Sequence, residues 1–281
     1  MKLREAAGPP AGSARPATVS APLRWVAELV RKTLVIAELE VRKLRHDFTE
    51  VITRGVQPVL WLLLFGQVFA HARAIPTGGI PYLDFMAPGI LAQSVLFVAI
   101  FYGISVIWER DLGLINKFLV SPTPRSALVL GKALSAGVRS LPQIVVIFGL
   151  SAILGVKVQW NPLTLLGLIL AAVLGAALFS TFSLIVACLV KTRERFMGIG
   201  QVMTMPLFFA SNAIYPISMM PLWMQWVSRA NPLTYEVDAL RALMIAGAPS
   251  HFGLALDFGV LLAWCAVLVA AGAKLYPRVV T

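Results

Sequence analysis

The sequence predicts an all-α integral membrane protein with six transmembrane helices. Of its 281 residues, 58% are hydrophobic and only 13% are charged, which is too few charges to cover a water-soluble globule of this size, so lipid must replace water around much of the chain. Charge-free stretches of about 20 residues, the length that crosses the hydrocarbon core of a bilayer, recur after residue 55. Lysine and arginine gather in the connections between them, and that distribution predicts which side each connection faces.

The first 54 residues precede the predicted spans and divide into two parts. Residues 1–20 are rich in Pro, Ala, Gly and Ser and contain no apolar run of the kind found in a cleavable signal peptide, so we expect a disordered tail. In residues 21–54, apolar side chains recur at spacings of three, four or seven, with arginines between them. This pattern predicts an amphipathic interfacial helix. A helix packed on a soluble partner is the alternative.

The first four predicted spans carry almost no charge. The first has Pro58 near its start, where proline is tolerated, and the second ends at the interfacial aromatic Trp108 before three consecutive charges. The third contains Arg139, whose long side chain can reach the interface from one or two turns inside. The fourth begins after Asn161-Pro162 and stops at a short charged connection. The four spans occupy about residues 55–72, 85–108, 133–156 and 162–190.

The next charge-free stretch, residues 196–228, is too long for one crossing and is broken by three prolines. We therefore expect a fifth span at about residues 196–215, followed by a return that does not span. Residues 219–227 are apolar and aromatic, so they are expected to dip into the outer interface as a short re-entrant helix, and a second short helix is expected at 233–246. A sixth span at about residues 252–273 completes a membrane domain of residues 55–281.

The distribution of basic residues predicts the orientation. Nineteen of the 24 Lys and Arg fall in residues 1–54, in the connections at 109–132 and 191–195, and in the C-terminal tail. Basic connections stay on the cytoplasmic side, so both termini are expected to be cytoplasmic, in a bacterial cytoplasmic membrane. The net charge of +11 is explained in the same way, and nucleic-acid binding is not expected, because a basic excess in so apolar a chain is typical of cationic loops at a membrane face.

The sequence contains no motif of a known catalytic site. Neither a His-Glu-x-x-His nor a Gly-x-Ser-x-Gly motif occurs, and the only Gly-Lys pair, Gly131-Lys132, is followed by alanine and lacks the earlier glycine of a phosphate-binding loop. The chain is therefore not expected to bind ATP or a metal. His46, His71 and His251 lie in separate segments, which disfavours a membrane-embedded enzyme acting on lipid.

Two connecting segments carry more specific patterns. The connection after the second span reads WERDLGLINKFLVSPTPRSALVLGK, residues 108–132. It predicts a short amphipathic helix whose first turn holds Glu109, Arg110 and Asp111 and which ends at the Ser-Pro-Thr-Pro break. A solvated connector is the alternative. The second segment, NPLTYEVDALR at residues 231–241, is expected on the outer side, just before the last span.

These two segments resemble the type 2 permeases of the ATP-binding cassette (ABC) transporters, the family that contains daunorubicin-resistance, Nod-factor and surface-polysaccharide export subunits. The first is similar to a family pattern of Glu-Arg, Gly, Leu, Ser/Thr-Pro, Arg and Gly-Lys. The matching residues are Glu109, Arg110, Gly113, Leu119, Ser121, Pro122, Arg125, Gly131 and Lys132 in the first segment, and Asn231, Pro232, Thr234, Tyr235, Leu240 and Arg241 in the second. The expected order of spans agrees with the family along nearly the whole chain after residue 20.

The resemblance implies a permease subunit of an ATP-driven exporter that moves an amphipathic drug or lipid-like substrate, with a lipid-linked glycan or polysaccharide as the alternative substrate. It implies two copies of a separate ATPase subunit, which hold the ATP and magnesium, and a second permease copy, expected in a homodimer. No cofactor is expected on this chain. The connection at 109–125 would be the coupling helix, acting through Glu109, Arg110, Asp111, Gly113, Leu119, Ser121, Pro122 and Arg125.

Uncharged polar residues inside the spans are the candidates for the substrate path, because polar groups avoid lipid. They are Gln57, Gln67, Gln93, Ser94, Gln201, Thr204, Ser211 and Asn212. Hydrogen bonds between helices explain each of them equally well. The scarcity of ionisable residues deep in these spans argues against a proton relay or a strongly charged pocket, and so against a self-contained secondary transporter.

Overall fold

The computed structural model describes residues 31, 35, 38, 42, 48–72, 75–113, 125–190 and 192–276. Most of them are helical, and the only β-type pairing among them is an isolated bridge between Val158 and Ile245. The predicted all-α membrane fold class is confirmed. The predicted disordered tail and most of the predicted interfacial helix lie outside the described residues.

Ten α-helices, one π-helical segment and one 3-10 turn have described bounds. In chain order they are α1 (Phe48–Leu60), the π-helical segment (Trp61–Phe65), α2 (Gly66–Ala72), α3 (Tyr82–Tyr102), α4 (Ile104–Asp111), α5 (Arg125–Ile153), α6 (Pro162–Leu189), α7 (Arg193–Phe209), the 3-10 turn (Ile217–Met219), α8 (Leu222–Ala230), α9 (Pro232–Met244) and α10 (Leu254–Leu275).

Five stretches of the described chain are long and apolar enough to cross a membrane. They are Gly55–Ala72, Tyr82–Asp111, Arg125–Ile153, Pro162–Leu189 and Leu254–Leu275. The predicted fifth span corresponds to α7, whose 17 residues rise about 25 Å and end at Phe209 instead of continuing to residue 215. The count of six spans therefore stays a prediction. Helices α8 and α9 occupy the region where two short helices were expected.

Two helices begin with the same Asn-Pro pair. The side-chain oxygen of Asn161 accepts a hydrogen bond from the Leu163 N–H at 3.0 Å, and Asn231 does the same for Leu233 at 3.0 Å. Each asparagine satisfies one of the N–H groups that a helix leaves unpaired at its start, and the proline after it lacks that N–H and has a helical φ. This local chemistry sets the first residue of α6 and of α9.

The second span differs from its prediction at its inner end. The helix is interrupted at Gly103 and continues as α4, so Glu109, Arg110 and Asp111 form the last turn of α4 and do not open the next helix as expected. The reason is Gly113, whose positive φ of 69° is a left-handed conformation that glycine adopts easily. Its N–H bonds to the Arg110 carbonyl at 2.9 Å and closes the helix there.

Helix α3 is the centre of the bundle and α10 is at its edge. In the most apolar stretch of the Tyr82–Asp111 span, 78% of the residues are buried within the protein. In the most apolar stretch of Leu254–Leu275, only 11% of the residues are buried. Helix α3 packs on α5, α6 and α9, whereas α10 packs on α6, α9 and α5 and leaves most of its surface for lipid. The faces of α3 are therefore where a path through the protein can be built.

Candidate functional site

An ion pair between α4 and α5 is buried at one end of the bundle, which we call the inner end because the distribution of basic residues predicts that it faces the cytoplasm. The Lys132 ammonium lies 2.8 Å from both carboxylate oxygens of Glu109, and the two side chains are only 8% and 11% exposed. The Lys132 nitrogen also lies 5.9 Å from the centre of the Tyr102 ring. Opposite charges so deeply buried are stable only when they are paired. The pair therefore fixes the last turn of α4 against α5.

The tyrosine that follows α10 completes this buried environment. Tyr276 is fully buried in an apolar cluster with Ile107 and Phe196. Burial, and to a lesser degree the nearby Glu109 carboxylate, raises the pKa of the Tyr276 hydroxyl, so that it stays neutral. The inner end of the bundle thus joins residues from α4, α5, α7 and the end of α10.

A second ion pair, more exposed, joins α4 to α7. Arg193 donates to Asp111 at 2.7 Å, and its guanidinium carbon lies 3.8 Å from the centre of the Trp108 ring. Arg110 donates to the Val190 carbonyl, at the end of α6, at 3.3 Å. Together these contacts connect the last turn of α4 to three neighbouring helices. We call Glu109, Arg110, Asp111, Lys132 and Arg193 the inner charge cluster.

The predicted coupling residues fall on and beside this cluster. Glu109, Arg110 and Asp111 were expected to act in coupling to the ATPase, and in the described part of the chain they pair with groups of α5, α6 and α7. Gly113 ends the described segment after α4, and Arg125 begins α5 and is exposed. Leu119, Ser121 and Pro122 lie outside the described residues, so the predicted helix between them stays a prediction.

Arg139 also has a partner within the chain. Its guanidinium carbon lies 4.9 Å from the centre of the Tyr102 ring, where the face of the ring attracts a cation. Arg139 therefore contacts the C-terminal end of α3, and its extension to the interface stays a prediction.

A cavity of about 480 Å³ lies between α1, α3, α4 and α7. We call it the inner cavity. Four predicted substrate-path residues line it: Gln57, Gln93, Ser94 and Gln201. The other lining residues are Thr53, Pro58, Phe97, Val98, Phe101, Ile104 and Met197, and none of the described lining residues is charged. The structure thus gathers neutral polar groups from three predicted spans around one apolar-walled space.

Gln93 is the least satisfied of these polar residues. It is 2% exposed, and in the described part of the chain neither atom of its side-chain amide has a hydrogen-bond partner. Ser94 donates to the Leu91 carbonyl of its own helix at 3.0 Å. A buried amide without a partner is costly. Gln93 is therefore available to hydrogen-bond a molecule that enters the inner cavity.

The other four substrate-path candidates are not in the inner cavity. Gln67 is exposed on α2. Both Thr204 and Ser211 are buried. Thr204 donates to the Gly200 carbonyl of its own helix at 2.6 Å, and Ser211, just after α7, donates to the Phe208 carbonyl in the last turn of α7 at 2.7 Å. Asn212 lines a different cavity. For Thr204 and Ser211 the structure therefore shows a local hydrogen bond, which sequence alone does not distinguish from a ligand contact.

A second cavity, of about 600 Å³, lies at the opposite end of α3. We call it the outer cavity. The polar lining includes Asn212, Gln225, Arg229, Asp238, Arg241 and His251, and Phe85 of α3 is among its apolar residues. Asn212 belongs to a non-helical stretch between α7 and the 3-10 turn, residues 210–216, which we call the outer turn. Unlike the inner cavity, the outer cavity is lined by charged groups.

The predicted outer motif fastens α9 to its neighbours. Besides capping α9, Asn231 donates from its side-chain amide to the Leu207 carbonyl of α7 at 2.7 Å. Pro232 is the first residue of α9. The Tyr235 hydroxyl donates to the Arg229 carbonyl at 2.7 Å. These contacts connect α9 to α7 and α8.

Arg241, at the other end of the motif, is buried and bonds to backbone. It donates to the Asn212 carbonyl at 2.7 Å and to the Phe85 carbonyl at 3.3 and 3.2 Å. Its neighbour one turn earlier, Asp238, accepts from the Ser250 hydroxyl and from two backbone N–H groups. Arg241 is thus held by α3 and the outer turn, and Asp238 by the loop that precedes α10.

The buried acids Asp84, Glu236 and Asp257 were not identified from the sequence. Glu236 of α9 is fully buried, and in the described part of the chain neither carboxyl oxygen has a hydrogen-bond partner. It packs against Gly175, at the middle of α6, where a Cβ would overlap its carboxyl group. In the sequence, this glycine at the midpoint of an apolar span is the one indication that a side chain of another helix packs directly against the α6 backbone.

Comparison with protein families gives one match that covers most of the chain. A family described as ABC-2 type transporter matches residues 31–245, a range that includes the inner charge cluster, the inner cavity, the outer motif and most of the residues that line the outer cavity. This range ends just before the last helix, α10.

Several curated proteins are similar to the chain. A putative transport permease of Cyanophora paradoxa is 30% identical over 212 residues, which cover 75% of this chain and 72% of that protein. A daunorubicin resistance ABC transporter permease of Streptomyces coeruleorubidus is 27% identical over 252 residues, covering 90% of this chain and 87% of the relative. Nodulation protein J of Sinorhizobium fredii is 24% identical over 247 residues, covering 85% and 90%.

Proposed function

Given that the chain belongs to the ABC-2 type transporter family, we propose that it moves an amphipathic drug or lipid-like compound out of the cell through the inner cavity, across a bacterial cytoplasmic membrane. The observation that carries this proposal is the inner cavity itself, in which five neutral polar side chains from three helices share an otherwise apolar lining. Its volume lies in the range of cavities that bind drug-sized molecules, about 300–1,000 Å³.

The lining of the inner cavity supports an amphipathic substrate without a strong charge on its buried part. Phe97, Phe101 and Met197 offer apolar and aromatic surface to the body of the substrate, and Gln93 offers a donor and an acceptor to a hydroxyl or carbonyl group. A charged group placed there would find no opposite charge among the described lining residues. The relative named for daunorubicin resistance supports a drug as the substrate, and a lipid-linked glycan is the competing possibility.

The energy for transport is expected to come from a separate subunit. Permeases of this family generally work with an ABC ATPase subunit, and this chain lacks a phosphate-binding loop. We expect two copies of that ATPase, which bind the ATP and magnesium, and a second copy of the permease in a homodimer. Both termini and the connection at 109–132 are expected to face the cytoplasm with the ATPase.

Helix α4 supplies a direct mechanical connection between the ATPase side and the inner cavity. Its first residue, Ile104, lines the cavity, and its last residue, Asp111, belongs to the inner charge cluster. At the break before it, Gly103 fits against Ser183 of α6, where a Cβ would overlap the serine hydroxyl. A push on the segment between Gly113 and Arg125 would therefore tilt α4 about this point and reshape the inner cavity.

The proposal is tested by reconstituting the chain in liposomes with the cassette ATPase that remains bound to it after gentle extraction. We expect ATP-dependent accumulation of a fluorescent amphipathic amine only when both subunits are present. A Gln93→Leu variant should raise the apparent KM for this probe about tenfold or more, because it removes the hydrogen bonds that Gln93 offers. A Gln67→Leu variant is the matched control, since Gln67 is exposed outside the inner cavity, and should transport like the parent.

Two results would contradict the proposal. Transport driven by an ion gradient without any ATPase would favour a secondary transporter. Robust transport of a lipid-linked oligosaccharide, with none of the amphipathic amine, would keep the permease role but replace the substrate.

A further inference from the structure

A close contact between α3 and the outer turn lies between the positions on α3 that line the inner and the outer cavity. Along α3, Gln93 lines the inner cavity and Phe85 lines the outer one, with Gly89 midway between them. On the opposing side, Gln201 of α7 lines the inner cavity and Asn212 of the outer turn lines the outer cavity. The residue that meets Gly89 of α3 is Ala213 of the outer turn.

That contact leaves no room for a substrate to pass. A Cβ built on Gly89 would overlap the carbonyl group of Ala213 in the outer turn, so the backbones of the two segments touch. Gly89 and Ala213 are both buried. The eight residue steps from Phe85 to Gln93 rise about 12 Å along the helix, which is the approximate distance along α3 between the two lining positions.

Arg241 holds the two segments together on the outer side of this contact. One guanidinium donates to the Phe85 carbonyl of α3 and to the Asn212 carbonyl of the outer turn. The residue is only 6% exposed, and its guanidinium carbon lies 3.9 Å from the centre of the Phe85 ring. Charge-assisted hydrogen bonds in such a buried setting are stronger than those between neutral groups. Separating the outer turn from α3 requires that at least one of these bonds be broken.

We propose that the outer turn is a gate between the inner and outer cavities and that Arg241 is the positioning residue that keeps the gate closed. The inference rests on the proposed function, because only a transported substrate has to move from one cavity to the other. In the closed state the Gly89–Ala213 contact blocks the route. Movement of the outer turn away from α3 joins the cavities and releases the substrate to the outside.

Access from the outside to a cysteine in the inner cavity tests the gate. Ser94→Cys is placed in a chain in which Cys188 and Cys265 are replaced by serine, and right-side-out vesicles receive a membrane-impermeant thiol reagent. Arg241→Met should speed the labelling of this cysteine at least about tenfold, because loss of a charge-assisted hydrogen bond changes an opening equilibrium by that factor or more. Arg229→Met is the matched control. Arg229 also lines the outer cavity but is exposed, so its replacement should leave labelling unchanged.

Two further variants keep the proposal testable if Arg241→Met does not insert into the membrane. Arg241→Lys keeps the charge but not the planar fork of donors, and should speed labelling to a lesser degree. Gly89→Ala keeps Arg241 and displaces the outer turn by steric overlap with Ala213, and should also speed labelling.

The outcomes separate the gate from the proposed function. A parental labelling rate in an inserted Arg241→Met or Arg241→Lys protein would overturn the role of Arg241, and a parental rate in Gly89→Ala would overturn the gate. Neither measurement needs ATPase or substrate. Loss of ATP-driven transport in the parent protein would therefore count against the proposed function and leave this inference standing.

Discussion

The two ends of the bundle hold their buried charges in different ways. At the inner end, Glu109 and Lys132 pair side chain to side chain between two helices. At the outer end, Arg241 bonds only to backbone carbonyls in its described hydrogen bonds. Side-chain pairs can follow their helices as these tilt, whereas backbone carbonyls are fixed in space by the helix or turn that carries them. The difference suggests an inner end built to transmit movement and an outer end built to hold one closed geometry.

The largest effect is expected when only one residue of the buried Glu109–Lys132 pair is replaced. Lys132→Met leaves the Glu109 carboxylate buried without its cation, which should lower the free energy of unfolding in detergent by about 3–5 kcal/mol. Replacing both residues, as Glu109→Gln with Lys132→Met, removes the uncompensated charge and should restore most of the stability. Thermal unfolding of the three proteins measures this. If the double variant is as unstable as the single one, the charge pairing does not explain the stability.

A smaller effect is expected at the outer motif, and the chain supplies its own control. Asn231→Ala removes a helix cap and the hydrogen bond to Leu207, and should cost about 1–2 kcal/mol of unfolding free energy. Asn161→Ala removes an identical Asn-Pro cap whose side chain makes only the capping bond in the described structure, and should cost about 1 kcal/mol or less. The difference between these two losses of unfolding free energy measures what the hydrogen bond from Asn231 to Leu207 of α7 contributes. Equal losses would mean that this contact adds nothing.

The smallest effect is expected at the exposed pair of the inner end. Asp111→Asn removes the ion pair with Arg193, but both side chains are more than a third exposed, so water and salt screen their attraction. We expect a modest loss of ATP-driven transport at low ionic strength that disappears at high salt. Transport assays at two salt concentrations measure it. A loss that persists at high salt would show that Asp111 acts through more than its charge.

Some of the site could be predicted from the sequence because polar residues are conspicuous in an apolar stretch. Gln57, Gln93, Ser94 and Gln201 were found in that way, although nothing in the sequence shows that they face one cavity. Thr204 and Ser211 met the same criterion. A hydroxyl that bonds to its own helix is as compatible with an apolar span as one that faces a ligand, so sequence could not separate the two groups.

Other features depend on which helices meet, and periodicity does not reveal that. The pairing of Glu109 with Lys132 joins residues on two helices separated by a long connection. Glu236 lies close to Asp238 and Arg241 in the segment expected to form the second short helix, and its burial follows only from the packing of α9 on α3, α6 and α10. The sequence placed the end of the second span too early, for a local reason. The helix continues as α4 up to the turn at Gly113, because its three charged residues pair with one another or with groups of neighbouring helices.

The burial of Tyr276 has a consequence for the biosynthesis of the protein. Chains fold as they emerge from the ribosome, N-terminal parts first, and Tyr276 follows the last helix. Until it arrives, Ile107 and Phe196 lack one side of the apolar cluster in which they are buried. This end of the bundle is therefore completed only when Tyr276 has been synthesised, and nascent or truncated chains should expose an apolar surface there that membrane proteases can recognise.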